Sequence, residues 1–351
     1  MTSPSLAFYN RLDMKIGMFG LGFMGCTHLR ALGKIPGVEL VTVVSDDERA
    51  LGGDMSHIAG NFGGPGERYD FSRVSRHKDV DAGVADSAAD AVDLCLPTSL
   101  HAPTAIACLK AGKHVLVEKP MAMNAGECEA MMAAARESGK ILMTAQVLRF
   151  FPAYTVLRDV LRSGRIGKTR SAIFRRRCAA PAWSVWMGNK AISGGGVFDL
   201  LIHDVDMCLH LFGPPKAISA TGCEDLEAGI DTLAAELHYD DIPSVVVTGG
   251  WHHKKAYPFS MEYTVVAEGG TVEYSSEGRP PALYRADGDK EEIPLPETDG
   301  YQAEIEYFVE CCRTGRQPEI CPPRESAAAV KLMRMLEEAR NEKGAKISCQ
   351  L

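Results

Sequence analysis

Three closely spaced glycines near the start of the chain constrain its fold more than any other feature. Gly20, Gly22 and Gly25 follow an apolar run at residues 16–19 in the pattern G-x-G-x-x-G. In a strand–turn–helix unit, such glycines allow a tight turn, the approach of a pyrophosphate to the backbone, and close packing of the helix on the strand. The spacing alone also fits a turn that binds nothing, so the next segment decides between the two interpretations.

That segment is a second apolar run at residues 38–44, followed closely by Asp46. An acidic residue about 20 positions after the glycines meets the adenosine ribose in dinucleotide-binding folds. A carboxylate there accepts hydrogen bonds from the ribose hydroxyls and repels a 2′-phosphate, which predicts NAD as the cofactor. The nearby Arg49 leaves NADP as an alternative, since its guanidinium could accept a 2′-phosphate.

Strands and helices alternate through the first part of the chain. Apolar runs predict further strands at residues 91–96, 114–117 and 141–145. Pro103 and Gly112 mark the start and end of one intervening helix, and Asn124 and Gly139 mark those of the next. This alternation predicts a parallel, doubly wound sheet that binds ligands at the carboxyl ends of its strands. Residues 52–73 are polar and rich in glycine, and we expect an irregular excursion there.

The pattern changes in the second half of the chain. A helix is predicted at residues 152–164, and β-branched or alternating runs predict strands at residues 169–178, 233–239, 245–251, 261–267 and 271–274. Gly269 and Gly270 predict a hairpin turn between the last two strands. Two helices, at residues 301–313 and 324–343, close the chain. We therefore expect an α+β unit with a largely antiparallel sheet.

Composition limits the classes of protein that the chain can belong to. Its 351 residues are 46% apolar and 24% charged, which is typical of a globular protein with two domains. The net charge of −8 argues against a nucleic-acid surface, and no apolar run approaches the ~20 residues that cross a bilayer. Residues 1–13 lack the pattern of a signal peptide, so we expect an extension there, with Met14 as a candidate internal start.

The cysteines and histidines do not predict a metal site. The eleven cysteines include no C-x-x-C pair, and the ten histidines show no ligand spacing. Scattered cysteines in apolar segments indicate reduced thiols, so we expect a cytoplasmic protein that needs no metal.

Two stretches carry residues suited to acid–base chemistry. Lys119 directly follows a predicted parallel strand, where its charge could stabilise a developing alkoxide. Asp199, His203 and Asp206 are spaced to share one face of a predicted helix. A carboxylate one turn from a histidine can orient that histidine as a general acid or base. Both patterns also fit ordinary solvent-exposed side chains.

The chain resembles the Gfo/Idh/MocA oxidoreductases in six segments, which keep this order. The segments are GLGFMG at residues 20–25, DAVDLCLPTSLH at 90–101, AGKHVLVEKPMA at 111–122, RFFPAY at 149–154, SGRIGK at 163–168 and GGGVFDLLIHDVD at 194–206. The resemblance implies an α/β protein in which a Rossmann domain precedes an α+β domain with a large open, mostly antiparallel sheet. We accordingly divide the chain into an extension (1–13), a Rossmann domain (14–148), a substrate and oligomerisation domain (149–323), and a C-terminal segment (324–351) whose helix packs back on the Rossmann domain.

The resemblance also implies roles for particular residues. Lys119 matches the lysine of the family's Glu-Lys-Pro motif, and Asp199 and His203 match its Asp-x-x-x-His pair, so these three are the expected catalytic residues. The expected cofactor contacts are Gly20, Gly22, Phe23, Met24, Gly25, Asp46, Leu96, Pro97, Thr98, His101, Glu118, Lys119 and Gln146. The expected substrate contacts are Lys119, Arg149, Trp183, Asp199, His203 and Asp206.

These observations predict an NAD-dependent dehydrogenase of a sugar, polyol or inositol-like substrate, with NADP as the alternative cofactor. In the predicted mechanism His203, held by Asp199, takes the hydroxyl proton while Lys119 steadies the alkoxide. A homodimer or homotetramer joined through the open sheet is expected, without nucleic-acid or membrane partners. Two alternatives stay open: a non-catalytic dinucleotide-binding sensor of the same fold, and an enzyme that retains NAD for a transient oxidation during glycoside hydrolysis.

Overall fold

Two β-sheets organise the chain and follow one another in the sequence. The computed structural model describes residues 14–60, 64, 66–182 and 184–351. The first sheet contains β1 (Met14–Phe19), β2 (Val38–Val44), β3 (Ser75–His77), β4 (Ala91–Leu94), β5 (His114–Glu118) and β6 (Leu142–Ala145). The helices among these strands are α1 (Phe23–Leu32), α2 (Glu48–Leu51), α3 (Val80–Ala85), α4 (His101–Lys110) and α5 (Ala125–Ser138).

The first sheet has the predicted parallel, doubly wound architecture. Its strand order is β3-β2-β1-β4-β5-β6, and every neighbouring pair is parallel. All residues of the central strand β4 are buried, as expected for a parallel strand with helices on both faces, and all residues of the edge strand β6 are buried as well. The side chain of Asn124 caps α5, and Gly139 ends it in a left-handed conformation, which confirms both predicted helix signals. The parallel direction brings the carboxyl ends of these strands to one edge.

The glycine-rich excursion is irregular where the structure describes it. After the single turn of α2, the described residues between 52 and 73 form turns and one isolated bridge between Asp54 and Arg68. The crossover from β2 to β3 therefore lacks a full helix in this described part, as predicted.

The second sheet is larger and mixed. Its strands are β7 (Thr169–Ala179), β8 (Ala217–Asp225), β9 (Ile230–His238), β10 (Ser244–His253), β11 (Ser260–Ala267), β12 (Gly270–Ser275), β13 (Arg279–Arg285), β14 (Lys290–Glu292) and β15 (Ile347–Ser348). The order is β14-β13-β12-β11-β7-β10-β9-β8-β15, and only the pair β7–β10 is parallel among these described strands. The sequence did not predict β8, β13, β14 or β15. The hairpin turn consists of Glu268 and Gly269, because Gly270 already pairs with Ala267 as the first residue of β12.

The helices of the second half either pack on the second sheet or contact the first unit. These helices are α6 (Pro152–Arg162), α7 (Lys190–Ser193), α8 (Gly196–Phe212), α9 (Gly300–Thr314) and α10 (Pro323–Asn341). Helix α8 packs against β10, β9 and β7, whereas α9 packs against α1 of the first unit. Helix α10 contacts α8 and β8 as well as α5, so the C-terminal segment touches both units, and its strand β15 pairs with β8.

Candidate active site

The glycine turn leaves open space where an anion could lie. A Cβ atom on Gly20 would lie 2.3 Å from the Cys95 carbonyl oxygen, and one on Gly25 would lie 2.1 Å from the Gly20 carbonyl oxygen. A Cβ atom on Gly22 would meet nothing within 4 Å. The N-terminus of α1 has no side-chain cap and no acidic residue in its first turn. The start of α1 therefore has the form of an anion-binding helix N-terminus, and the turn fits the predicted dinucleotide.

The end of β2 presents one uncommitted carboxylate. Asp46 is exposed and lacks a hydrogen-bond partner among the described residues, whereas the neighbouring Asp47 caps α2 and accepts a bond of 2.6 Å from His57. Arg49 is engaged: its Nε donates to Asp54 at 3.1 Å and its Nη2 donates to Ser56 at 2.9 Å. Asp46 can therefore accept hydrogen bonds from ribose hydroxyls, whereas Arg49 is held by Asp54 and Ser56.

One cavity of about 1380 Å³ connects the glycine turn with the second sheet. This volume exceeds that of typical sites for a single small ligand, and it can hold a dinucleotide together with a small substrate. Twelve of the predicted site residues line it: Gly20, Gly22, Phe23, Met24, Asp46, Leu96, Pro97, Thr98, Glu118, Lys119, Asp199 and His203. The carboxyl-end edge of the first sheet and the start of α8 therefore line the same cavity.

Three predicted cofactor contacts lie behind the cavity wall. Gly25 packs α1 against the turn, as its contact with the Gly20 carbonyl shows. The ring nitrogens of His101 lie 2.8 Å from the carbonyl oxygens of Leu96 and Pro120, so this buried imidazole ties two wall loops together. Gln146 is 1% exposed and does not line the cavity. We therefore assign these residues to the support of the wall, and Trp183 lies outside the described residues.

Two predicted substrate contacts form a buried ion pair instead of facing the cavity. Arg149 donates from Nε to Asp206 Oδ2 at 2.8 Å and from Nη2 to Oδ1 at 2.7 Å. Its Nη1 donates to the carbonyl oxygen of Ile320 at 2.7 Å and to Glu325 at 2.6 Å. The side chains of Arg149 and Asp206 are 0% and 1% exposed. Contrary to the prediction, Arg149 is not placed to bind a substrate, because its guanidinium donates to groups inside the protein.

Lys119 and Asp199 form an ion pair in the wall of the cavity. Lys119 follows β5 directly, and Asp199 lies in the first turn of α8. The lysine Nζ lies 2.9 Å from the carboxylate Oδ1 and 2.9 Å from the backbone carbonyl oxygen of Asp199. Both side chains are 14% exposed, so the pair is largely shielded from water. We predicted that Asp199 orients His203, but the structure pairs this carboxylate with Lys119.

His203 faces the same cavity as a neutral imidazole. Its Nδ1 has no hydrogen-bond partner among the described residues. Burial lowers the pKa of His203 well below its usual value, and the positive charges of Lys119 and Arg176 lower it further. A neutral imidazole next to an ammonium group can accept a proton from a substrate hydroxyl while the ammonium stabilises the oxygen.

A buried network of two carboxylates and one imidazole supports the end of β5, which precedes Lys119. This network was not apparent in the sequence. The Glu118 carboxylate accepts a 2.8 Å bond from the Lys119 N–H and lies 3.2 Å from His28 Nε2. On its other side, His28 Nδ1 lies 2.9 Å from Asp93. Burial alone would lower the pKa of His28, but the charge of Asp93 raises it well above the usual value. An imidazolium between two carboxylates thus fixes the strand end that carries Lys119.

The same network contains side chains with the chemistry of metal ligands. His28, Asp93 and Cys95 place one ligand atom each within 4.8 Å of one another, a group that their spacing in the sequence did not reveal. Burial raises the pKa of the Cys95 thiol, which disfavours the thiolate form that binds metals. The expectation that no metal is needed stays a prediction.

Sequence reasoning missed several cavity residues from the second half of the chain. Phe259, Met261 and Tyr301 line the cavity: Phe259 directly precedes β11, Met261 lies in β11, and Tyr301 lies in the first turn of α9. Their positions could not be inferred from spacing, because each is brought to the cavity by packing of the second sheet against the first unit.

The parallel sheet, glycine turn and Lys119–Asp199 pair define a Rossmann-type NAD-binding oxidoreductase. Sequence comparison matches residues 14–146 to the oxidoreductase family with an NAD-binding Rossmann fold, and residues 154–273 to the GFO/IDH/MocA C-terminal domain. The chain belongs to the Gfo/Idh/MocA family, which confirms the resemblance found in the sequence.

Relatives of the chain include diol, inositol and sugar dehydrogenases. The mouse trans-1,2-dihydrobenzene-1,2-diol dehydrogenase is 34% identical over 264 residues, which cover 70% of this chain and 74% of that protein. The 4-carboxy-2-hydroxymuconate-6-semialdehyde dehydrogenase of Sphingobium sp. is 33% identical over 168 residues, which cover 47% of this chain and 49% of that protein. This second match therefore spans about half of the relative's length.

Solved structures agree on the fold. A levoglucosan dehydrogenase in complex with NADH and L-sorbose superposes with a TM-score of 0.83 over 96% of this chain and 99% of that chain, at 18% identity. Among the described residues, none of the helices has the length and apolar character required to cross a bilayer.

Proposed function

We propose that the chain is an NAD-dependent dehydrogenase that oxidises a secondary hydroxyl group of a sugar, polyol or related diol, or reduces the corresponding ketone. The observation that carries the proposal is the meeting of the Lys119–Asp199 pair and neutral His203 in the cavity that also contains the glycine turn. The named activities of the diol and inositol dehydrogenase relatives support this reaction class.

The chain's own residues provide the acid–base part of the reaction. Bound NAD would accept a hydride from the carbinol carbon. The substrate hydroxyl lies between Lys119 and His203, and the neutral imidazole accepts its proton. The Lys119 ammonium stabilises the negative charge that develops on the oxygen, and Asp199 holds that ammonium in place through the 2.9 Å contact. Reduction of the ketone runs through the same contacts in reverse.

The preference for NAD over NADP rests on the end of β2. Asp46 is free to accept hydrogen bonds from the ribose hydroxyls, and its charge repels a 2′-phosphate. Arg49, the candidate acceptor of such a phosphate, is held by Asp54 and Ser56. Both features support NAD as the cofactor.

A substrate panel tests the proposed reaction. Sugars, polyols, ring diols and sugar acids are incubated with NAD or NADP, and the reduced nicotinamide is followed by its absorbance. Reduction that scales with added NAD supports a dehydrogenase and distinguishes it from an enzyme that retains its cofactor. Absence of nicotinamide reduction by every substrate class, and of its oxidation by the matching ketones, would contradict the proposal.

We also propose a homodimer or homotetramer joined through the second sheet, in a reducing cytoplasm. Ile173 is 46% exposed, Val266 36% and Tyr284 41%, all on the sheet strands. A row of such side chains is unusual on a monomer's surface and fits a subunit contact. The eleven cysteines are all unpaired, which supports a reducing compartment. Light scattering that gives a monomer at micromolar concentration would contradict the assembly.

A further inference from the structure

The C-terminal helix α10 reaches both sides of the Lys119–Asp199 pair through one arginine. Arg334 donates from Nε and Nη2 to the carbonyl oxygen of Met123, at 3.0 and 2.9 Å. Its Nη1 donates to the carbonyl oxygen of Gly194 at 3.3 Å. Met123 follows Lys119 by four residues, and Gly194 precedes Asp199 by five residues. One guanidinium therefore ties together the two chain segments that carry the pair.

The same guanidinium also covers the residue next to Asp199. Its central carbon lies 3.6 Å from the centroid of the Phe198 ring, and the Phe198 side chain is buried. A cation over an aromatic face is attracted by the ring, and the attraction is stronger where water is excluded. Glu337, on the next turn of α10, accepts a 2.6 Å bond from Nη1. These contacts fix the orientation of the arginine and, through Phe198, the first turn of α8.

The segment after Lys119 depends on side chains for its position. Residues 119–124 lie between β5 and α5 and belong to neither a helix nor a strand. Glu127 accepts the backbone N–H of Met123 at 3.0 Å, and Arg334 binds the carbonyl oxygen of the same residue. Without the arginine, this carbonyl oxygen loses two charge-assisted donors, which are stronger than neutral ones.

A second arginine of α10 anchors the start of α8 through Asp231. The Oδ2 atom of Asp231 accepts the N–H of Val197 at 3.0 Å, and its Oδ1 atom accepts a bond of 2.5 Å from Arg340. The side chains of Asp231 and Arg340 are 0% and 2% exposed. The carboxylate satisfies an N–H group of the first helical turn, which has no partner within the helix. Helix α10 thus holds the turn that carries Asp199 at two points.

We infer that Arg334 is a positioning residue, which sets the contact between Lys119 and Asp199 by holding the segments that carry them. The inference rests on the proposed dehydrogenase function and adds the C-terminal helix to its active site. Displacement of either segment moves the ammonium away from the developing negative charge, and a shift of about 1 Å can slow a reaction by up to about 10²-fold. The expected contacts of the adenosine and pyrophosphate, at Asp46 and the glycine turn, are separate from the described contacts of Arg334. We therefore expect the chemical step to depend on Arg334 and NAD affinity to change little.

Substitutions at Arg334 test this role in initial-rate and NAD-binding measurements. Arg334→Met keeps the hydrocarbon stem and removes the donors, so kcat should fall about ten-fold or more while the Kd of NAD stays close to the parent value. Arg334→Lys keeps the charge but lacks the planar fork, so it should recover only part of kcat. Arg324→Met is the matched control on the same helix: Arg324 is exposed and takes no part in these contacts, so kcat should not change. Circular dichroism confirms that each variant is folded.

A double substitution separates positioning from a general structural effect. Asp199→Ala removes the carboxylate of the pair, so adding Arg334→Met to it should lower kcat much less than in the parent protein. Equal fold-losses in both backgrounds, or normal kcat in folded Arg334→Met, overturn the inference and leave the dehydrogenase function standing. If Arg334→Met does not fold, Arg334→Lys is compared in the same two backgrounds by the same criteria. Absence of turnover by the parent protein with every substrate class contradicts the proposed function and the inference together.

Discussion

Replacement of Asp206 by alanine tests whether this carboxylate holds Arg149 in the protein interior or contacts the substrate. The substitution removes both carboxylate contacts of Arg149, at 2.8 and 2.7 Å, and leaves a guanidinium inside the protein with 0% of its side chain exposed. If the pair is structural, Asp206→Ala destabilises the fold, and the folded enzyme keeps its substrate affinity.

The expected magnitude follows from the contacts that are lost and kept. Breaking a buried ion pair by removing one partner costs about 3–5 kcal/mol, because the remaining charge is desolvated without compensation. Arg149 retains Glu325 at 2.6 Å and the Ile320 carbonyl at 2.7 Å, so we expect a value near 3 kcal/mol, the lower end of the range. The double substitution Arg149→Met with Asp206→Leu removes both charges and should recover much of this loss.

Urea denaturation followed by circular dichroism measures the free energy of unfolding of each variant. Lys216 and Asp240 form a control pair at 3.9 Å, with side chains 72% and 80% exposed. Asp240→Ala should change the free energy of unfolding by less than about 1 kcal/mol, because solvent screens the pair. Initial rates with NAD give KM for the best substrate of the panel.

The opposite pattern would refute the reasoning. If Asp206→Ala unfolds at the same urea concentration as the parent protein while KM for the substrate rises strongly, Asp206 contacts substrate and the ion pair contributes little to the fold. A loss of stability with unchanged KM supports the structural role.

The remaining predictions concern the catalytic groups and the cofactor. His203→Ala should lower kcat by roughly 10²–10⁴-fold with little change in NAD affinity, since the imidazole serves as the general base; near-normal turnover would leave Lys119 as the proton carrier. Because burial and neighbouring positive charges lower the pKa of His203 below 6.5, the base stays neutral from pH 8 down to 6.5, and the acid-side fall of kcat/KM for oxidation should lie below pH 6.5 in a pH–rate profile. Asp46→Ala should narrow the difference between the Kd values of NAD and NADP by relieving repulsion of the 2′-phosphate; equal Kd values in the parent protein would contradict this role. Exhaustive chelation should leave activity unchanged because Lys119 supplies the positive charge, and loss of activity restored by one metal would overturn this expectation.

Local sequence patterns were sufficient to predict the strands and helix signals of the first unit and the sheet edge that carries the predicted cofactor contacts. The glycine turn and the strand β2 (Val38–Val44) could be predicted because each depends on neighbouring residues: backbone space around Gly20 and Gly25, and a continuous apolar run. The helix signals at Asn124 and Gly139 are local in the same sense. The position of Asp46 directly after β2, where it lines the cavity, followed from the strand that precedes it.

Only the tertiary structure decided which side chains of the site form pairs with one another. The sequence placed Asp199, His203 and Asp206 on one face of α8, but it could not tell which neighbours that face would meet at each turn. At the first turn the helix meets Lys119, 80 residues away in the chain, and two turns later it meets Arg149, 57 residues away. Spacing along a helix fixes the direction of a side chain, whereas burial and ion pairing depend on segments that folding brings together. For this reason Asp199 belongs to the cavity, and Asp206 lies in the protein interior.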